Sequence, residues 1–425
     1  MAGTIPDGIY YDKPLGNSFC LIFLKISRSI NSSDLAKELS ELWKLYNELK
    51  RGKIKDPATS SKHTHTGNLS VLLGYGPKIF DGIVFGLKKD KPKDLRSERG
   101  FKGPNILPGD PIADGSSIKF SKDIVKNHAI EEHIIIQFIA EAEMFTNRAV
   151  VETWKHFYKK QKQNNKNKAP ILNISRFYTG FKRIDQRGWL GFHEGVANMT
   201  QKDREEAIAI NSSISKQDDW LINGTYMAFI RFRIALEKWE ELSVSQQEIK
   251  IGRKKITGCP IIDIDKNGRP ISDPNCPVEG TEEVIEVGNE PFRQLPKFDG
   301  KNISNYGRDK LLSVSHVNRV YKPNIYPPSD YRSFRIFRQG FEFLEPSEKD
   351  PRFQAGLNFI SFQNNPQKVM KILTSSQWLG KSINTNSYNE NSKGLEAYIS
   401  ANAAGLFIIP PFNKNEQFPG SIMFL

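Results

Sequence analysis

Residues 18–27, SFCLIFLKIS, are almost continuously apolar and predict a buried strand. Ser32, Ser33 and Asp34 then offer a helix N-cap, and residues 34–50 carry apolar positions at a spacing near 3.6, which predicts a helix. GNLSVLLGY (67–75) predicts a second strand. HIIIQFIAEA (133–142) predicts a third that runs into a helix over 143–160, and NISRFYTGFKR (173–183) a fourth. Strands and helices in this order suit an α+β fold of the ferredoxin-like kind, an antiparallel sheet with helices packed on it. The theme repeats. TYMAFIRFRIAL (225–236) predicts a strand followed by helical residues around Glu237–Leu242. FRIFRQGFEF (334–343) and GLNFISFQ (356–363) predict two strands, and PQKVMKILTSSQW (366–378) a helix. Segments 88–118 and 258–310, rich in Pro, Gly and Asp, read as long loops, and 159–170 as an exposed polar turn. Two similar halves suggest a duplicated architecture, with an N-terminal domain over 1–190 and a C-terminal one over 191–425.

Composition adds little to this picture. The 425 residues are 38% hydrophobic, enough for a real core and against wholesale disorder. Lys and Arg number 61 against 48 Asp and Glu, a net charge of +13 that raises the prior for an anionic partner. The plainer explanation is a set of solvated lysine-rich faces. No RNP-type signature accompanies the charge, so nucleic acid is not expected as a partner. Cys20, Cys259 and Cys276 form no CxxC pair, and three scattered cysteines imply neither a disulfide framework nor a zinc knuckle. They fit a reducing compartment. No apolar run reaches membrane-spanning length, so a cytoplasmic protein without membrane association is expected. The C-terminal FPGSIMFL reads as a solvated or core-packed tail.

Several residues carry candidate chemistry. His63 and His65 form an HxH pair, a possible metal arrangement on a strand, but the surroundings read as loop and no third ligand lies near. GYGPKIFDG (74–82) matches neither the P-loop nor the dinucleotide pattern. His316, in LLSVSHVNRV, has apolar flanks that suit a structural histidine, although one imidazole suffices as the axial ligand of a haem iron. Arg335 and Arg338 are an odd number of residues apart, so a regular strand sends them to opposite faces. An inward arginine needs an anion or carboxylate to offset its desolvation. Glu194 lies in GFHEGVANM (191–199), where Gly191 and Gly195 let the backbone come close to something flat or bulky. His193 is its neighbour.

Together these segments resemble the dye-decolourising peroxidases, a haem peroxidase family. GFHEG followed by VAN is similar to that family's GxxDG signature, SHVNR to the segment bearing the proximal histidine, and RIFRQG to the R-I-L-R-R-G segment bearing the distal arginine. GTYMAFIRF (224–232), QEIKIGRKKITGCPI (247–261), GLNFISFQNNP (356–366) and AAGLFIIPP (403–411) support the likeness, which covers most of the chain. There are departures: Glu194 stands where the signature has Asp, Met199 replaces the usual proline after Asn198, and Gly340 occupies a position where some members carry asparagine.

The resemblance implies two ferredoxin-like domains with haem b held mainly by the C-terminal one. His316 would be the iron ligand, Glu194 the acid/base that moves the proton of hydrogen peroxide, and Arg338 the group that stabilises developing charge. Arg319, Gly195 and Phe359 would contact the cofactor. Bulky organic donors, dyes among them, would supply electrons, with Trp189 and Trp378 as conceivable relays. A homo-oligomer is compatible with the family. The Glu-for-Asp exchange motivates an alternative: a haem-binding or haem-handling protein of the same fold with weak peroxidase activity.

Overall fold

The computed structural model describes residues 16–54, 66–92, 132–163, 169–185, 187–194, 201–211, 219–274, 311–317, 336–348, 351–366 and 394–425, with a few single positions beside them. His63, His65, Gly195, Asn198, Met199, Arg319, Arg335 and Trp378 lie outside the described residues.

Eight strands make the frame: β1 Ser18–Ile26, β2 Ser70–Tyr75, β3 Ile134–Ala140, β4 Leu172–Phe181, β5 Thr225–Ile234, β6 Phe337–Pro346, β7 Phe353–Gln363 and β8 Ile399–Ile409. They close into a barrel in the order β1-β3-β2-β8-β5-β7-β6-β4, every pairing between them antiparallel. The first four strands run 4-1-3-2 across their part of the barrel, and the last four repeat the same order. The duplication suggested by the hydrophobic pattern is therefore real at the level of topology. The two sets meet along narrow seams, β4 to β6 at Phe181 opposite Glu342, and β2 to β8 at Tyr75 opposite Ile408. Gly180 serves the first seam. A side chain there would begin 2.8 Å from the Glu342 carbonyl oxygen and 2.9 Å from Phe341 Cβ, so only glycine lets β4 approach β6 this closely.

Alternation along the strands explains why the first ones show almost nothing polar. Phe19, Leu21 and Phe23 of β1 meet Met227, Phe229, Phe341, Ile360, Phe362 and Phe407 in one apolar cluster drawn from alternate positions around the barrel, its packed interior. The intervening residues, such as Cys20, Ile22 and Leu24, join the other cluster on the outer face. A strand covered on both sides reads as a continuous apolar run, as SFCLIFLKI does.

Over the first four strands the cover is helical. α1, Ser32–Lys50, begins two residues earlier than expected and is capped not by Ser32, Ser33 or Asp34 but by the Asn31 side chain, which accepts from the Ser33 N–H. Its Leu35, Leu39, Leu42 and Tyr46 are buried, and the Tyr46 hydroxyl meets Thr153 of α2 (Glu143–Gln163) at 2.9 Å. The C-terminal tail also packs here: Phe418, Met423 and Phe424 are buried, and Tyr75 donates to the Pro419 carbonyl at 2.7 Å. That settles the tail as core-packed. Over the last four strands, α3 (Gln201–Ile208) and α4 (Val244–Ile251) leave a different outer face, described below.

The structure corrects the sequence reading at two further places. Cys259 and Cys276 form a disulfide across 17 residues, where none was expected. Counting cysteines could not reveal it, because the pairing depends on a hairpin, Ile261–Ile264 with Pro270–Ser272, inside the segment read as loop. The last strand, Ile399–Ile409, was not anticipated as a strand. Its register shifts between Ala401 and Ala403, which breaks the period-two pattern that would have marked it. Of the helix expected over 366–378, Pro366 lies in a turn, residues 368, 369 and 372 are helical, and the others lie outside the described residues.

Candidate active site

The loop after β4 folds into a tight hairpin. Arg187 bridges to His193, Gly188 N–H donates to the Phe192 carbonyl at 3.0 Å, and Gly191 N–H donates to the Gly188 carbonyl at 2.7 Å. Gly191 has φ of +85° and abuts the Lys255 side chain, so a side chain there meets both backbone strain and a clash. Arg187 clamps the turn, donating to the carbonyls of Gly191 and Lys255 at 2.8 and 2.7 Å. Two indoles anchor it from either side: Trp189 Nε1 donates to the Phe343 carbonyl at 3.0 Å, and Trp239 Nε1 donates to the Leu190 carbonyl at 3.3 Å. Trp189 is thus a fixed part of the loop, its ring set edge-on to Phe181.

This hairpin delivers Glu194 to the outer face of β6. Arg338, Gly340 and Glu342 alternate with the inward Phe337 and Phe341, so all three share that face. Across the β6–β7 ladder they stand opposite Ser361, Phe359 and Leu357. Glu194 Oε2 lies 3.3 Å from the point where a Gly340 side chain would begin. Glycine at 340 therefore makes room for the longer carboxylate. Phe359, directly opposite, is partly buried and sets its ring edge-on to Phe232. Arg335, expected on the face opposite Arg338, lies outside the described residues; the nearness of Arg338 to Glu194 is a tertiary fact.

Electrostatics around Glu194 pull in two directions. Burial pushes its carboxyl above the ordinary range, while Lys182 and Arg338 favour the charged form. Lys182 itself is pushed down by burial, with Glu194 pulling the other way, and its ammonium sits 4.8 Å over the Phe341 ring. On the far side of Gly188 lies Glu342, 3% exposed, whose Oε1 accepts from the Trp189 N–H. Burial raises the Glu342 carboxyl to about 8. His193 is held neutral: burial, with Arg187 nearby, lowers its imidazole to about 4. Neither Lys182 nor Glu342 was singled out from the sequence. Glu342 was discoverable, since it lies an even number of residues after Arg338 on a strand; Lys182 was not, because no local pattern ties it to the loop that follows.

His316 belongs to a second group. It follows the short turn Leu312–Val314, and its neighbours Ser315 and Val317 press against Gly252 at the left-handed end of α4. The Val314 carbonyl and the Glu396 carboxylate both crowd the place where a Gly394 side chain would begin. Glu396 is 3% exposed. A carboxylate therefore stands beside the segment that carries His316. Trp239 ties the two groups together, packing against Leu190 and Phe192 of the hairpin and against Ile251, Leu395 and Tyr398.

Chemically the region offers an imidazole and a carboxylate near a guanidinium, with Gly188 and Gly340 leaving room for that carboxylate. Haem needs an imidazole ligand and groups that move protons, and this donor set is of that kind. Groups of three or more His, Cys, Asp or Glu able to hold a bare metal ion are absent among the described residues.

Comparison with known proteins follows the same line. A family model described as Dyp-type peroxidase, C-terminal, matches residues 185–414. The Deferrochelatase of Escherichia coli (strain K12) is 21% identical over 362 residues, 84% of this chain and 69% of its own length. The Deferrochelatase of Shigella boydii serotype 4 (strain Sb227) is 24% identical over 361 residues, again 84% of this chain and 69% of its own. Among solved structures, the DyP-type peroxidase from Cellulomonas bogoriensis superposes with a TM-score of 0.65 at 16% identity, covering 100% of this chain and 97% of its own. Ferric DtpA from Streptomyces lividans gives 0.63 at 19%, covering 98% and 96%.

Proposed function

Because the chain belongs to the Dyp-type peroxidase family, we propose that it is a haem-dependent peroxidase that reduces hydrogen peroxide and oxidises bulky organic donors. The observation that carries this reading is the meeting of Glu194 and Arg338 on the outer face of β6, close enough for the guanidinium to favour the carboxylate's charge. Haem b, when bound, supplies the iron at which peroxide is split. His316 would be the ligand that holds it, and a carboxylate or carbonyl accepting its second ring N–H would raise the imidazole's electron donation; the Glu396 carboxylate stands beside the His316 segment. Phe359 on β7 would contact the cofactor, and Gly195 and Arg319 would be further contacts by position in the family pattern. Glu194 takes the proton from one peroxide oxygen and returns it to the other at its carboxylate oxygens. Arg338 offsets negative charge that builds on the departing oxygen. The Gly191 hairpin, clamped by Arg187, keeps Glu194 in place.

The partners of this reading are peroxide and an organic electron donor. No described helix is long and apolar enough to cross a membrane. A homo-oligomer agrees with the exposed apolar residues Met144, Val151 and Trp154 on α2. A cytoplasmic location loses its cysteine argument, since a disulfide such as Cys259–Cys276 persists best in an oxidising compartment.

A second reading, haem handling with weak peroxidase activity, draws on the curated relatives named Deferrochelatase. Stopped-flow absorbance of the haem-loaded protein mixed with peroxide separates the two. Under the peroxidase reading the parent reacts fast, Glu194→Gln reacts about 100-fold more slowly or worse, and His316→Ala loses its haem spectrum. A parent that binds haem but reacts no faster than Glu194→Gln overturns it in favour of haem handling.

A further inference from the structure

We propose that Glu342 is a positioning residue for Glu194: the two carboxyls form a buried acid pair around Gly188 that shares a single proton. The role rests on the peroxidase reading; the pair itself does not. Glu194 Oε1 and Glu342 Oε1 lie 3.0 and 3.2 Å from the same point, where a Gly188 side chain would begin. A methyl group there would push into both carboxylates, so the glycine is what lets them approach. Glu342 is almost completely buried, and its Oε2 finds no hydrogen-bond partner. A bare carboxylate oxygen in that setting is costly, whereas a protonated one has only a hydroxyl to place.

The charges facing the pair divide its roles. Lys182 and Arg338 act on Glu194 and favour its ionised form. Glu342 accepts the Trp189 N–H and feels Arg183 on the favourable side, but Glu194 and Asp185 oppose its ionisation, and burial opposes it most. Across the β6–β7 ladder it faces Leu357, which offers no charge. One negative charge is therefore tolerated between the two carboxyls, and the cations draw it to Glu194. Glu342 keeps the proton, and so sets the pH range over which Glu194 works as a base. When Glu342 loses that proton to solvent, two like charges face each other across Gly188, and Glu194 loses its aim.

The pair is testable without cofactor. Infrared difference spectra of the purified protein, titrated from pH 5 to 10, report a protonated buried carboxyl by its deuterium-sensitive C=O band. In the parent this band should disappear near pH 8. In Glu342→Gln it should be absent. In Glu194→Gln it should ionise about one pH unit lower, because coupled acids shift each other by at least that much. An identical midpoint in parent and Glu194→Gln overturns the pair. Gly188→Ala guards against misfolding of the amide variants: it should move the midpoint, and an unmoved one counts against the proposal. The haem-loaded protein supplies the second readout. The alkaline limb of its peroxide reaction should vanish in Glu342→Gln, and a limb that stays refutes the positioning role. If the infrared coupling holds but neither protein reacts with peroxide, the pair stands and the peroxidase reading falls.

Discussion

His193, beside Glu194 in the hairpin, is 9% exposed, and burial with Arg187 close by lowers its imidazole from 6.5 to about 4. The linkage follows from which state holds more protons. Between those two values the unfolded chain protonates this histidine and the folded chain does not, so stability present above pH 6.5 is lost as pH falls towards 4. Each tenfold difference in proton affinity is worth about 1.4 kcal/mol, which makes the full loss roughly 3 kcal/mol, a large share of the ~5–15 kcal/mol that holds a domain together. The perturbation is His193→Phe, which keeps a flat buried ring and cannot charge. Urea denaturation at pH 7.5, 6.0, 5.0 and 4.5 measures the effect, read as the difference in slope between parent and variant so that every other titrating group cancels. The parent should lose roughly 2.5 kcal/mol more than the variant over that range. Parallel stability curves would refute the reasoning and mean that the folded protein accepts a proton on His193 freely.

Two further outcomes follow from the geometry. Cys276→Ser should cost about 3 kcal/mol by the loop-entropy relation for 17 residues, and thiol titration of the unreduced, denatured parent should find one reactive cysteine, Cys20; three would show the bridge absent. Gly340→Ala places a methyl 3.1 Å from Leu357 Cδ1 and 3.3 Å from Glu194 Oε2. Both are ends of flexible side chains, so stability should change by no more than ~1 kcal/mol, while the peroxide reaction slows as Glu194 is displaced. An unchanged rate in stopped-flow would remove the close fit of Glu194 against Gly340 from the mechanism.

Much of the fold was legible because burial writes itself into short-range patterns. A strand enclosed between the barrel interior and a helix has no polar face to show, so SFCLIFLKI and IIIQFIA announce themselves. α1 shows its 3.6-residue spacing for the complementary reason, one face on the sheet and one in water. Where the period breaks, the signal fades: the shifted register within Ile399–Ile409 hid a strand of eleven residues. The hairpin that brings Cys259 to Cys276 was hidden by its own turn-rich composition.

The site divides along the same line. The sequence alone determined that Glu194, Arg338 and His316 deserve attention and that Arg338 lies on one face of its strand, and it suggested two α+β halves. Strand period and glycine placement are local properties, written within a few residues of each other. What only the tertiary structure decided is company: Lys182 and Arg338 around Glu194, Glu342 across Gly188, Glu396 beside the His316 segment, and Trp239 between the two groups. Those neighbours come from strands and loops far apart in the chain. Their effect on a buried carboxyl depends on distance through a poorly screening interior, and residue order does not encode that distance.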